Sequence, residues 1–120
     1  MKRREFLAGG MALAATLPAG VAAAAMPPGL ATHARAKGRY FGAAVKSRQL
    51  REDAGFTQAV AQECNILVQE YELKRGTTEP KPGQYDFSGA DQIIDFAQKH
   101  DMRARGHALV WYAAQPKWLE

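Results

Sequence analysis

Two pairs of side chains in this 120-residue chain have types and spacing that suit ligand chemistry: Glu70 with Lys74, and His107 with Trp111, the members of each pair four residues apart. An ionised carboxylate only accepts hydrogen bonds and an ammonium only donates them, so Glu70 and Lys74 together can hold a group that does both. The same two residues also suit a surface ion pair, usually worth less than about 1 kcal/mol. A histidine beside an apolar run such as Ala108-Leu109-Val110 is more often a satisfied core residue than a ligand. An indole such as Trp111 serves either packing or stacking. The single cysteine, Cys64, excludes an internal disulfide framework and a Cys-rich zinc site. No metal and no cofactor is expected.

The segments around these residues alternate strand and helix. Residues 40–45, Tyr-Phe-Gly-Ala-Ala-Val, read as a first strand, with Gly42 where backbone or ligand comes close. From Asp53 to Cys64 the apolar residues Phe56, Ala59, Val60 and Cys64 recur at steps of three and four, the mark of one helical face. Ile66-Leu67-Val68 is a short apolar run of the kind found in a parallel strand covered on both faces. Ser88 suits the N-cap of a second helix, with Asp91 as its capping partner and Ile93, Ile94, Phe96 and Ala97 as the buried stripe. Residues 108–111 read as a third strand, and Tyr85 and Phe87 as core. The order βαβαβ predicts an α/β fold with parallel strands.

Composition limits the classes of function. The chain is 47% apolar and 23% charged, with 16 basic against 12 acidic residues, which suits one folded domain at most. Lys2, Arg3 and Arg4 against Glu5 supply half of the net +4, and the rest forms no basic stripe, so nucleic acid is not the expected partner. That basic start, followed by Phe6-Leu7 and an Ala/Gly-rich stretch ending at Ala23 and Ala25, reads as an export signal over residues 1–25. The Arg-Arg-x-Phe-Leu order resembles a twin-arginine signal. Gly9, Gly10, Pro18 and Gly20 argue against a retained membrane helix. The expected product is therefore an exported bacterial protein, periplasmic or secreted, with a linker over residues 26–37 and no membrane association after cleavage. Its oligomeric state is not legible.

Four ordered motifs carry a resemblance that periodicity alone does not supply. They are Tyr40-Phe41-Gly42-Ala43-Ala44; Glu63-Cys64-Asn65 leading to Glu70-Tyr71-Glu72-Leu73-Lys74; residues 79–91 from Glu79-Pro80 through Phe87-Ser88-Gly89-Ala90-Asp91; and Arg105-Gly106-His107-Ala108-Leu109-Val110-Trp111. In this order they resemble the beginning of glycoside hydrolase family 10, the endo-β-1,4-xylanases, over residues 38–120. The resemblance implies the first βαβαβ part of a (β/α)8 barrel, incomplete here, because closure takes about 250 residues and about 95 follow the signal.

The resemblance also implies roles. Glu70 and Lys74 match the family's Glu-Asn-x-x-Lys motif, which hydrogen-bonds xylose units on the non-reducing side. His107 matches a residue beside the sugar at the cleavage point, and Trp111 one in the cleft floor, where an indole stacks on a sugar face. The family's acid/base Glu lies in a Trp-Asp-Val-Val-Asn-Glu type motif and its nucleophile in a Thr-Glu-Leu-Asp type motif. Neither occurs in the 120 residues, so no catalytic residue is assigned. The chain departs from the pattern at Tyr71 in place of Asn, at Arg75 in place of Trp, and at Tyr112-Ala113-Ala114 in place of His-Ser-Gln. Arg105, Glu79 and Trp118 read as structural. The expected function is an exported endo-1,4-β-xylanase acting on xylan or xylo-oligosaccharides with retention, present as an N-terminal portion. The alternative is a non-catalytic remnant or weak sugar-binding piece.

Overall fold

The structure, a computed structural model, describes residues 27–119. The signal expected over residues 1–25 lies outside the described residues. The element order is α1 (Leu30–Arg35), β1 (Gly42–Val45), α2 (Ser47–Glu52), α3 (Ala54–Glu63), β2 (Ile66–Gln69), α4 (Arg75–Thr78), α5 (Ser88–Lys99) and β3 (Arg103–Arg105), followed by 3-10 turns at Tyr112–Ala114 and Lys117–Leu119. The strands form one parallel sheet in the order β1-β2-β3. Gly42 is in register with Ile66, and Ile66 with Arg103.

Side chains alternate across β2, and the alternation sets the two faces of the sheet. Leu67 is fully buried and packs with Val45, Val60, Cys64, Ile93, Ala97 and Met102 into the core between sheet and helices, with Phe56, Phe96 and Leu50 at its margin. On the other face Gly42, Ala44, Ile66 and Val68 line an open hollow of about 390 Å³ with Arg105 and His107. β1 lies tight against β2. A Cβ at Gly42 would come 1.8 Å from the Ile66 carbonyl oxygen, so only glycine allows this spacing.

Helix α3 begins where Asp53 accepts a hydrogen bond from the Phe56 N–H at 2.8 Å, a side-chain cap for an otherwise unpaired donor. Its expected face is buried at Val60 and Cys64 and partly at Phe56, but Ala59 is exposed. Helix α5 buries Ala90, Ile93 and Ala97, and leaves Ile94 and Phe96 half-buried. Its start differs from expectation. Phe87 occupies the N-cap and Ser88 is the first helical residue. Asp86 supplies the acceptor instead, 2.9 Å from the Ser88 N–H, because a carboxylate two residues back reaches that amide without leaving the loop. Tyr85 and Phe87 are 65% and 48% exposed and stack on each other, so they are not core.

The third strand is the main correction. It lies at Arg103–Arg105, while the apolar run 108–111 holds no strand and bends at Leu109 and Val110, 94% and 77% exposed. The turn after α5 decides this. Asp101 adopts positive φ, the Met102 N–H returns to the Ala97 carbonyl, and the Arg103 N–H bonds the Asn65 carbonyl to open the ladder with β2. Only three residues separate helix from strand, so pairing is under way before the apolar run arrives.

Within the stretch read as linker, α1 is tied down. The Leu30 N–H donates to Glu63 at 2.6 Å, and the Asn65 amide donates to the Ala31 carbonyl at 3.3 Å. Asn65 also exchanges two hydrogen bonds with Phe41, through its side-chain oxygen and its N–H. β1 and β2 are thereby joined ahead of the first strand residue.

Candidate functional site: a lysine and aromatic cluster at the strand ends

Lys46 follows the last residue of β1, and Glu70 the last residue of β2, so parallel pairing delivers both to the same end of the sheet. Their side chains form an ion pair, Lys46 Nζ to Glu70 Oε1 at 3.3 Å, both ends partly exposed. Glu70 therefore pairs with Lys46 and not with Lys74, which replaces the surface pair open to the sequence.

Lys74 is 8% exposed. Its Nζ sits 4.3 Å from the centroid of the Tyr71 ring and 4.5 Å from that of Trp111, well within cation–π range. Lys46 Nζ reaches the same Tyr71 ring at 5.2 Å. Trp111 is 39% exposed and meets Tyr112 edge to face. Of the four residues singled out from the sequence, the fold brings Lys74 and Trp111 into direct contact and pairs Glu70 with Lys46, which meets the same Tyr71 ring as Lys74. His107 is exposed and lines the hollow on the open sheet face beside Arg105. The peptide bond from His107 to Ala108 is cis.

Two buried carboxylates hold the loops that carry the cluster. Glu72 accepts from the Ser47 N–H at 2.6 Å and from the Tyr71 N–H at 3.1 Å. Burial is the largest single influence on its pKa and acts upward. The hydrogen bonds from Ser47, Tyr71 and its own N–H together outweigh it and hold the carboxyl below its ordinary value. Glu79 accepts from the Gly83 N–H at 3.0 Å and from Arg75 at 3.1 Å. Its pKa is held down, first by the Gly83 N–H and then by the Arg75 guanidinium. Gly83 has φ of 72°, a left-handed turn conformation that glycine adopts without strain. Trp118 donates its indole N–H to the Glu79 carbonyl at 3.0 Å and lies under the Arg75 guanidinium, so Glu79 and Trp118 are structural, as expected.

Sequence reasoning missed Lys46, and Tyr71 registered only as a departure from a pattern. The available signal for Lys46 was its place immediately after a strand, since ligand-contacting residues of parallel α/β folds gather at strand C-termini. Among the described residues no group of three or more His, Cys, Asp or Glu side chains is arranged to hold a metal ion.

The sequence profile of Glycosyl hydrolase family 10 matches residues 29–120. The chain belongs to this family. It is 35% identical over 81 residues to endo-1,4-beta-xylanase 2 of Claviceps purpurea, covering 68% of this chain and 25% of that protein. With endo-1,4-beta-xylanase A of Halalkalibacterium halodurans it shares 39% identity over 78 residues, 65% of this chain and 19% of the relative. Among solved structures, the intracellular xylanase TsXylA of Thermoanaerobacterium saccharolyticum in complex with xylotetraose superposes with a TM-score of 0.70 at 34% identity, over 78% of this chain and 28% of that one. Xylanase XynB of Paenibacillus barcinonensis gives 0.68 at 33%, over 79% and 28%. The chain thus spans between 19% and 28% of the length of these four proteins. Its described residues form a three-stranded parallel part of the family's TIM barrel, with the sheet open at β1 and β3.

Proposed function

We propose that this family 10 chain supplies one wall of the xylan-binding cleft of an exported endo-1,4-β-xylanase, with Glu70, Lys74, His107 and Trp111 contacting the sugar. The observation that carries this reading is the buried Lys74 ammonium against the partly exposed Trp111 ring at the C-terminal end of the sheet. In barrels of this kind that end carries the chemistry. A sugar presents hydroxyls that accept from an ammonium and donate to a carboxylate, and an apolar ring face that stacks on an indole. The xylotetraose bound to the Thermoanaerobacterium saccharolyticum relative makes a xylo-oligosaccharide the ligand to test. Hydrolysis with retention requires two carboxyl groups about 5–5.5 Å apart across the scissile bond, and the side chains of the cluster serve binding and not that step.

Export belongs to the same proposal and rests on Arg3-Arg4-x-Phe-Leu. The binding role is tested by titrating the tryptophan fluorescence of the full chain with xylotetraose. A saturable change, weakened in Lys74→Met, is expected, and a weaker affinity of Trp111→Ala is read by titration calorimetry, since that variant lacks the reporting indole. A wild-type chain whose fluorescence ignores the sugar overturns the reading.

A further inference from the structure

Lys74 is nearly buried, yet among the described residues it forms no ion pair. The nearby carboxylates are committed elsewhere: Glu70 to Lys46, Glu72 to the N–H groups of Ser47 and Tyr71, and Glu79 to Gly83 and Arg75. A buried charge needs compensation, and here the faces of Tyr71 and Trp111 provide it.

The geometry points to Tyr71 as a positioning residue that holds the Lys74 ammonium in place for the ligand, with Trp111 as the second support. This rests on the sugar-binding role of Lys74 proposed above. A lysine side chain has four rotatable bonds and loses much rotamer freedom when fixed. With no carboxylate to fix it, the ammonium takes its position from the two rings. Tyr71 is itself located from below, because its N–H donates to Glu72, whose other oxygen takes the Ser47 N–H. Tyr71 is 51% exposed, so part of the residue covers the ammonium while the rest is open to solvent. Its ring also lies 5.2 Å from Lys46 Nζ, the partner of Glu70. The quadrupole of the ring performs this role and its hydroxyl does not, so phenylalanine should substitute and leucine should not.

The test compares wild type, Tyr71→Phe and Tyr71→Leu in the full chain. Two quantities are read: the NMR shift of the Lys74 ε-methylene protons, which ring currents move upfield, and the dissociation constant for xylotetraose. Wild type and Tyr71→Phe are expected to keep the upfield shift. In Tyr71→Leu the shift should fall back toward the ordinary lysine value, with binding weakened about three- to tenfold. Because β1 and β3 are open edges, the same variants are also read in a chimera in which residues 29–119 replace the corresponding segment of the Paenibacillus barcinonensis xylanase. There Tyr71→Leu should raise KM about three- to tenfold with kcat unchanged, the mark of lost ground-state binding. A Tyr71→Leu protein with wild-type shift, affinity and KM overturns the positioning role. A wild type that keeps the shift but ignores xylotetraose overturns the sugar-binding reading and leaves the clamp standing.

Discussion

The Glu72 carboxylate bridges the loops after β1 and β2, accepting from the Ser47 N–H at 2.6 Å on one side and from the Tyr71 N–H at 3.1 Å on the other. Helix α5 presses on the same side chain, since a Cβ at Gly89 would lie 2.8 Å from Glu72 Cγ. One buried carboxylate therefore joins three segments that frame the candidate site.

Replacing it by an amide turns one acceptor oxygen into a donor facing a donor. Glu72→Gln should lower stability by about 1–3 kcal/mol, the cost of a buried unsatisfied group, measured by urea denaturation at neutral pH. The pH dependence has a definite sign. The folded-state pKa is depressed by the backbone hydrogen bonds despite burial, so the stabilisation is present above the ordinary glutamate value of about 4.3 and is lost as pH falls through the lower folded value. The two proteins should converge in stability at acid pH. A constant gap down to the acid end would count against this account.

Gly42→Ala should weaken the β1 and β2 pairing, because no movement of a flexible side chain relieves a 1.8 Å approach to the Ile66 carbonyl. The expected loss is about 1–3 kcal/mol by the usual cost of overpacking, read by chemical denaturation. Gly38→Ala is the contrast, since nothing lies within 4 Å of its Cβ position and only its positive φ of 64° resists the change.

The 120-residue chain should not turn over xylan or an aryl xylobioside. Glu70 is ion-paired, and Glu72 and Glu79 are held in backbone and arginine contacts, so the cluster offers no acid and nucleophile pair. Turnover that survives repurification and disappears in Glu70→Ala would refute this.

Replacing Arg3 and Arg4 by Lys in a reporter fusion of residues 1–37 should abolish transport by the twin-arginine route. Delivery to the periplasm in cells lacking that route would assign the signal to general secretion instead.

The sequence was most legible where burial leaves a periodic trace. Val60 on α3, Cys64 at its C-cap, Ile93 and Ala97 on α5, and Leu67 of β2 are buried as their patterns predict, whereas Ile66 and Val68, expected to be covered on both faces, are half-buried on the open face of the sheet. β3 was illegible because its residues, Arg103-Ala104-Arg105, carry no apolar alternation and are exposed. The most strand-like run nearby, residues 108–111, forms no strand and bends at the exposed Leu109 and Val110. At the site, Glu70 and Lys74 stood out as a pair, but their actual partners did not. Lys46 meets Glu70 from 24 positions upstream and Trp111 meets Lys74 from 37 downstream. Such contacts are set by strand register, which local spacing does not encode.

The inner face of β1 has almost no bulk, since Gly42 and Ala44 stand beside Ile66 and Val68. A barrel interior is filled by layers of side chains from alternate strands at near-crystalline density. The small residues of β1 thus act as a mould. Any strands that close this sheet must bring long side chains across the axis to the β1 side, and a set lacking them would close over a void. The shape of β1 thereby constrains the sequences of strands that never touch it in the ladder, and co-variation in side-chain volume across the barrel axis is where that constraint should be sought.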